Sequence, residues 1–321
     1  MRSQVTVQAA PTVAVLPHAA PVAAHLDLVA VFSLLLCCAL WGLNQVAIKL
    51  VLPELPALVQ LSVRSGVALA LLLGWMRWRG LPWSWRDGTA WPGLLAGALF
   101  ALEFGLAFVG LQYTTAARAV VFINTSPFVV ALMLALLVPS ERLSLLQVGG
   151  LVLAFASIAL AFGESASGQA WLGDLMILAA AALWGLTTVT IRLSSLRHAP
   201  PEVTLAYQLG VATVMSPLAA WWSGAAWPLH WSAMAVGSLF YQGVIVTFAS
   251  YLLWFGLLKR YPATKVQAFV FLTPVFGMLG AGALLGEPIT PALLLALLGV
   301  GVGLVLLNRR AAKPAAPVAS A

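Results

Sequence analysis

Ala39-Leu-Trp-Gly-Leu-Asn-Gln-Val-Ala-Ile-Lys-Leu50 recurs further along the chain as Ala182-Leu-Trp-Gly-Leu-Thr-Thr-Val-Thr-Ile-Arg-Leu193. Eight of the twelve positions are identical, and the basic residue survives as Lys49 in one copy and Arg192 in the other. The correspondence carries on outward from this stretch. Arg64 stands opposite Gln208; Arg118 aligns with Lys265, Phe122 with Phe269 and Pro127 with Pro274, and Glu141 and Glu287 follow the two proline-bearing segments. A long-period self-similarity of this kind means that each half of the chain is one structural unit.

Both copies lie in apolar runs, and so does most of the chain. Of 321 residues, 62% are hydrophobic and 8% charged, with a mean hydropathy of +1.00. A soluble domain carries about 25% charged residues, so this chain cannot coat a water-facing surface. That excludes a soluble enzyme, a disordered protein and a nucleic-acid-binding module, despite a net charge of +7. Crossing a bilayer takes ~20 mostly apolar residues. Ten such runs are present: about Leu26–Ile48, Pro56–Met76, Trp91–Gln112, Ala116–Val138, Ser144–Gly163, Gly173–Ile191, Val203–Trp222, Ser232–Leu258, Ala263–Leu285 and Ile289–Leu307. Both faces of most runs are apolar, and none alternates as barrel strands do. The expected fold is an all-α membrane protein of ten transmembrane helices. Five spans per half, an odd number, oblige the second half to enter the membrane upside down, giving two inverted repeats over residues 26–163 and 173–308. Residues 1–25, broken by Pro11, Pro17 and Pro21, and 309–321 read as disordered tails. Cys37 and Cys38 are adjacent and form no disulfide framework.

Lys and Arg set the orientation. With the N-terminus placed in the cytoplasm, that side collects 13 of the 16 basic residues, including Arg77, Arg142, Arg192, Lys259, Lys265 and Arg309. The other side holds Lys49 and Arg118, and Arg64 lies within a span. Short loops rich in Lys and Arg face the cytoplasm. Both termini are therefore expected there, in a multi-pass protein of the inner (plasma) membrane.

Two five-span halves, an Ala-Leu-Trp-Gly opening in each (Ala39–Gly42 and Ala182–Gly185), and late helices bearing Pro127 or Pro274 followed by Glu141 or Glu287 carry a resemblance. At these residues the chain is similar to the drug/metabolite transporter superfamily, EamA type, from Leu26 to Asn308. The resemblance implies a ten-helix bundle that moves a small metabolite, amino-acid-like or drug-like, often outward. It implies a cavity lined by the first, third, fourth, sixth, eighth and ninth helices. Inverted repeats are also the architecture of alternating-access carriers.

Polar residues within the spans mark candidates for the cavity wall, because lipid cannot satisfy them. The first helix has Trp41 and Asn44, and its twin has Trp184 and Thr188. The fourth has Asn124, the eighth Gln242 and the ninth Gln267. An amide offers more donors and acceptors than its own helix can saturate, whereas Thr188 can bond its own backbone one turn back. For each of these residues a cavity role and a packing role stay open. Pro127 and Pro274 are expected helix breaks, each freeing a carbonyl one turn earlier, with a packing kink as the alternative.

Two full charges lie deep in the membrane. Arg64 and Glu103 sit about eight and nine residues from the same end of consecutive helices, roughly 12 and 13.5 Å deep at ~1.5 Å per residue. A lone charge there costs at least ~3 kcal/mol, so a buried ion pair is expected. It serves either as a structural salt bridge or as a coupling site at which Glu103 takes a proton or a substrate amine.

His18, His25, His198 and His230 lie in tails or loops, and no metal motif or nucleophile elbow occurs, which argues against an intramembrane enzyme. A phosphate-binding loop, as a primary pump needs, is likewise missing. The expected activity is secondary transport of a small molecule by alternating access, without cofactor, metal or nucleic acid. The expected partners are the substrate, the bilayer and, if transport is proton-coupled, protons; the assembly is either a monomer or a homodimer. A non-transporting scaffold or receptor is the alternative, with an intramembrane enzyme behind it.

Overall fold

The computed structural model describes residues 25–81, 87–164 and 168–309. Ten helices long and apolar enough to cross a membrane stand at the ten expected runs. They are α1 (Leu28–Leu50), α2 (Ala57–Trp78), α3 (Ala90–Gly110), α4 (Ala116–Leu137), α5 (Leu145–Gly163), α6 (Ala170–Leu193), α7 (Pro201–Trp222), α8 (Ala233–Arg260), α9 (Lys265–Leu285) and α10 (Pro291–Asn308). The two sequences expected to be disordered tails lie almost wholly outside the described residues. Short connections make successive helices antiparallel. The face at which α1 begins and α10 ends is called the near face here, and the opposite one the far face. With five helices in each half, α1 starts at the near face and α6 at the far one.

Side chains from the turns start several helices. The Asp27 carboxylate accepts from Ala30 N at 2.7 Å at the head of α1. Ser144 and Gln147 form a reciprocal capping box on α5, which satisfies donors that an α-helix leaves open at its first turn.

The principal helix neighbours join the two halves: α3 packs on α6 and α7, α2 on α7 and α8, α1 on α8 and α9, α4 on α6 and α9, and α5 on α10. Between membrane helices, small residues allow such close approach. A Cβ on Gly42 of α1 would lie 2.5 Å from the Thr273 carbonyl oxygen and 2.6 Å from Gly277 N of α9. Leucines and valines on the outside of α5 and α10, such as Val152 and Leu298, are more than half exposed. That surface suits hydrocarbon and not water.

Three helices are irregular. In α4 the α-helical hydrogen bonding stops after Ile123 and resumes at Ser126. Pro127, which has no N–H to offer, sits in the first turn of the second piece. Side chains at the break bond carbonyls of the preceding turn: Asn124 Nδ2 donates to Val120 O at 2.7 Å and Thr125 Oγ1 to Phe122 O at 2.7 Å. In α9 a short helix (Ala263–Gln267) gives way to a 3₁₀ turn (Val270–Leu272) before the helix that carries Pro274 in its first turn (Thr273–Leu285). In α8, residues Tyr241–Ser250 form a π-helix, a rare form that concentrates at functional sites.

Candidate functional site

The π segment of α8 is tied to the residues singled out on α1. Trp41 Nε1 donates to Ser250 Oγ at 2.8 Å, and its ring packs on Tyr251 and Trp254 with centroids 5.8 and 4.9 Å away. Tyr241 donates its hydroxyl to Leu40 O, and Cys37 its thiol to Ser250 O. Gln242 is fully buried and donates to Gln60 Oε1 on α2 at 3.1 Å and to Ser238 Oγ at 2.9 Å, while its own Oε1 has no partner. Asn44 is buried, and its Oδ1 is also without a partner. Trp41, Asn44 and Gln242 thus belong to one set of facing helices, α1 and α8.

Other candidates sit elsewhere. Asn124 caps the break in α4. Thr188 donates to Trp184 O within α6 at 3.1 Å, so its hydroxyl is occupied by its own helix. Trp184 is 37% exposed, and Gln267 is exposed at the near-face start of α9.

The deep charges do not form the expected ion pair. Arg64 and Glu103 are buried, at 2% and 5% exposed, yet no ion pair of 4.0 Å or less joins them. The Arg64 guanidinium instead lies over the Phe104 ring, 4.2 Å from its centroid, and 5.2 Å from that of Phe108. An aromatic face attracts a desolvated cation, and this contact holds the guanidinium away from the carboxylate. Arg64 Nε and Nη1 and Glu103 Oε2 make no hydrogen bond. Both groups remain within electrostatic reach of one another and of Tyr251.

The well-formed ion pairs are at the two faces. On the far face Arg118 grips the fully buried Asp174 through Nε at 3.1 Å and Nη2 at 2.6 Å, and Thr114 Oγ1 donates to the same carboxylate. Beside this, Glu287 accepts from Ala116 N and Ala117 N, both at 2.9 Å, and faces Lys49 Nζ at 3.9 Å. A carboxylate at the start of α4 suits the positive end of the helix dipole. Lys49 also donates to Leu111 O and Thr114 O. On the near face Arg192 pairs with Glu141, and Lys259 with Glu202 at 3.0 Å.

Lys49 and Arg192 are repeat counterparts, and so are Glu287 and Glu141. Each pair therefore crosses between the halves, Lys49 with Glu287 at the far face and Arg192 with Glu141 at the near one. Their burial differs: the side chains are 26% and 8% exposed at the far face against 53% and 33% at the near face. Sequence reasoning placed these charges but did not pair them. It missed Asp174 altogether, although an aspartate opening an apolar run opposite Arg118 was a readable signal. Among the described residues no group of His, Cys, Asp and Glu could hold a metal ion.

The model of the EamA-like transporter family matches residues 28–163 and again residues 171–309. Among curated proteins, the chain is similar to an uncharacterized transporter, YvbV, of Bacillus subtilis, 27% identical over 84% of this chain and 88% of that one. It is 28% identical to a Salmonella typhimurium protein named "Probable amino-acid metabolite efflux pump", over 81% of this chain and 88% of that one. A protein of the same printed name from Escherichia coli is 28% identical over 80% and 87%. A solved crystal structure superposes with a TM-score of 0.58 at 19% identity, covering 87% of this chain and 96% of that one, a likeness of fold alone.

Proposed function

The chain belongs to the EamA-like transporter family, a multi-pass membrane protein that moves small molecules, and from that premise we propose that it exports an amino-acid-like metabolite across the cytoplasmic membrane by alternating access. The observation that carries this reading is the pair of repeat-related contacts at opposite faces. Lys49–Glu287 and Arg192–Glu141 each tie one half of the chain to the other, at opposite ends of the bundle. Breaking one while tightening the other rocks the halves about the midplane, as an inverted-repeat carrier requires. The far pair is the more buried, so this conformation is shut at the far face. With 13 basic residues on the side of the termini, the near face is the cytoplasmic one, and the substrate is loaded from inside. The amino-acid class rests on the two efflux proteins of matching printed name.

In this reading the substrate path runs along the facing helices α1 and α8, at Trp41, Asn44 and Gln242; Asn124, Trp184, Thr188 and Gln267, which lie apart from that group, are not needed for it. Purified protein in liposomes should show counterflow of a labelled amino acid drawn from a panel. Folded protein that moves none of them refutes the substrate class, and a C-terminal phosphatase fusion active outside the cytoplasm refutes the orientation.

A further inference from the structure

Arg64 on α2 and Glu103 on α3 are opposite charges buried on packed helices, and no ion pair of 4.0 Å or less joins them. An ionised group removed from water without a partner is strongly unfavourable, and two such groups of opposite sign would relieve each other simply by closing into a salt bridge. The aromatic contact of Arg64 with Phe104 and Phe108 keeps that bridge open. The unmet demand is then for two complements at once: acceptors for Arg64 Nε and Nη1, and a donor for Glu103 Oε2. A lone anion satisfies only the first, a lone cation only the second, and an uncharged solute leaves both charges unmatched. One molecule carrying a carboxylate and an ammonium satisfies both.

We propose that Arg64 and Glu103 are the recognition pair for a zwitterionic substrate, Arg64 taking its carboxylate and Glu103 its ammonium group; the assignment rests on the transport reading above. A guanidinium fork matches a carboxylate in two parallel hydrogen bonds. The rings of Phe104, Phe108 and Tyr251 supply apolar surroundings in which such bonds are strong. The position connects to the helices of the candidate path. The π segment of α8 runs against α2 at this level, where a Cβ on Gly243 would come within 3.3 Å of Arg64 O.

The test uses full-length protein in liposomes, with counterflow of an amino acid that wild-type protein carries as the readout. Its amide, which lacks the carboxylate, and its N-acetyl derivative, which lacks the ammonium, are the competitors. Leaving one buried charge unpaired should weaken each derivative at least about thirtyfold relative to the parent in the wild type. In Glu103→Gln the advantage of the parent over the N-acetyl derivative should collapse while the amide stays excluded, and in Arg64→Gln the converse should hold. Equal competition by all three compounds in wild-type protein overturns the assignment, as does undiminished discrimination in both variants. So does a Glu103→Gln protein that keeps counterflow and full discrimination but loses uptake driven by a pH gradient, which would make Glu103 a proton carrier. If a variant yields no folded protein, Glu103→Asp or Arg64→Lys replaces it. Each must raise KM for the parent several-fold more than for the derivative lacking the matching group, and an unchanged ratio overturns the proposal. If wild-type protein carries no amino acid, the transport reading itself fails before any variant is made.

Discussion

Replacing Asp174 by Asn should be among the most damaging single changes available at the far face. The carboxylate is fully buried and receives Arg118 Nε at 3.1 Å, Arg118 Nη2 at 2.6 Å and the Thr114 hydroxyl. The amide keeps the shape and one acceptor oxygen but removes the charge that balances Arg118. Breaking a buried pair from one side costs about 3–5 kcal/mol. Arg118 retains the Ala161 carbonyl at 2.7 Å and Glu164 at 4.0 Å, so the lower end applies, about 3 kcal/mol. The double variant Arg118→Met with Asp174→Leu removes both charges and should return to within about 1 kcal/mol of the wild type, because apolar replacement of a whole buried pair is often neutral. Equilibrium unfolding in mixed micelles, followed by circular dichroism as SDS is titrated in, measures all three proteins. The half-exposed Arg192–Glu141 pair is the internal control, since Glu141→Gln should cost no more than about 1 kcal/mol. An Asp174→Asn protein no less stable than the Glu141→Gln protein would refute the reasoning, because the far-face bridge would then behave as a solvated surface contact.

Gly42→Ala should lower the melting temperature and transport together, since its Cβ would meet backbone atoms of α9 at 2.5 and 2.6 Å and helix backbones cannot give way as side chains do; size-exclusion profiles after heating measure it, and an unchanged melt contradicts the packing. Glu54, in the turn between α1 and α2, accepts from Ser232 Oγ at 2.6 Å and from Ser232 N, and these bonds hold its carboxyl below its ordinary value of 4.5. A carboxyl lowered by folding stabilises above its unfolded pKa and ceases to as the pH falls through the folded one. The melting difference between wild type and Glu54→Gln should therefore be steady at neutral pH and shrink only below about pH 4.5; a difference that grows on acidification contradicts the sign.

The sequence by itself determined the ten spans, their arrangement in two halves and the family. Those follow from hydropathy and from the Ala39–Leu50 and Ala182–Leu193 repeat, which are properties of single segments: a helix that must hide its backbone from lipid does so alone, whatever its neighbours. The fate of each polar side chain was not legible in this way. Depth along a helix put Arg64 level with Glu103, but only the packing of Phe104 and Phe108 beside them decided that the two do not meet. Asn124 was readable as an amide in a membrane, and only the break after Ile123 decided that it serves a carbonyl of its own helix. The π-helix of α8 has no signature in the composition of Tyr241–Ser250; it exists where that segment is bonded to Leu40, Trp41 and Gln60. Hydrophobicity is additive along the chain and needs no partner, whereas a hydrogen bond or an ion pair is fixed by the relative position of two groups, and rotations and irregularities that the tertiary packing sets decide which groups meet.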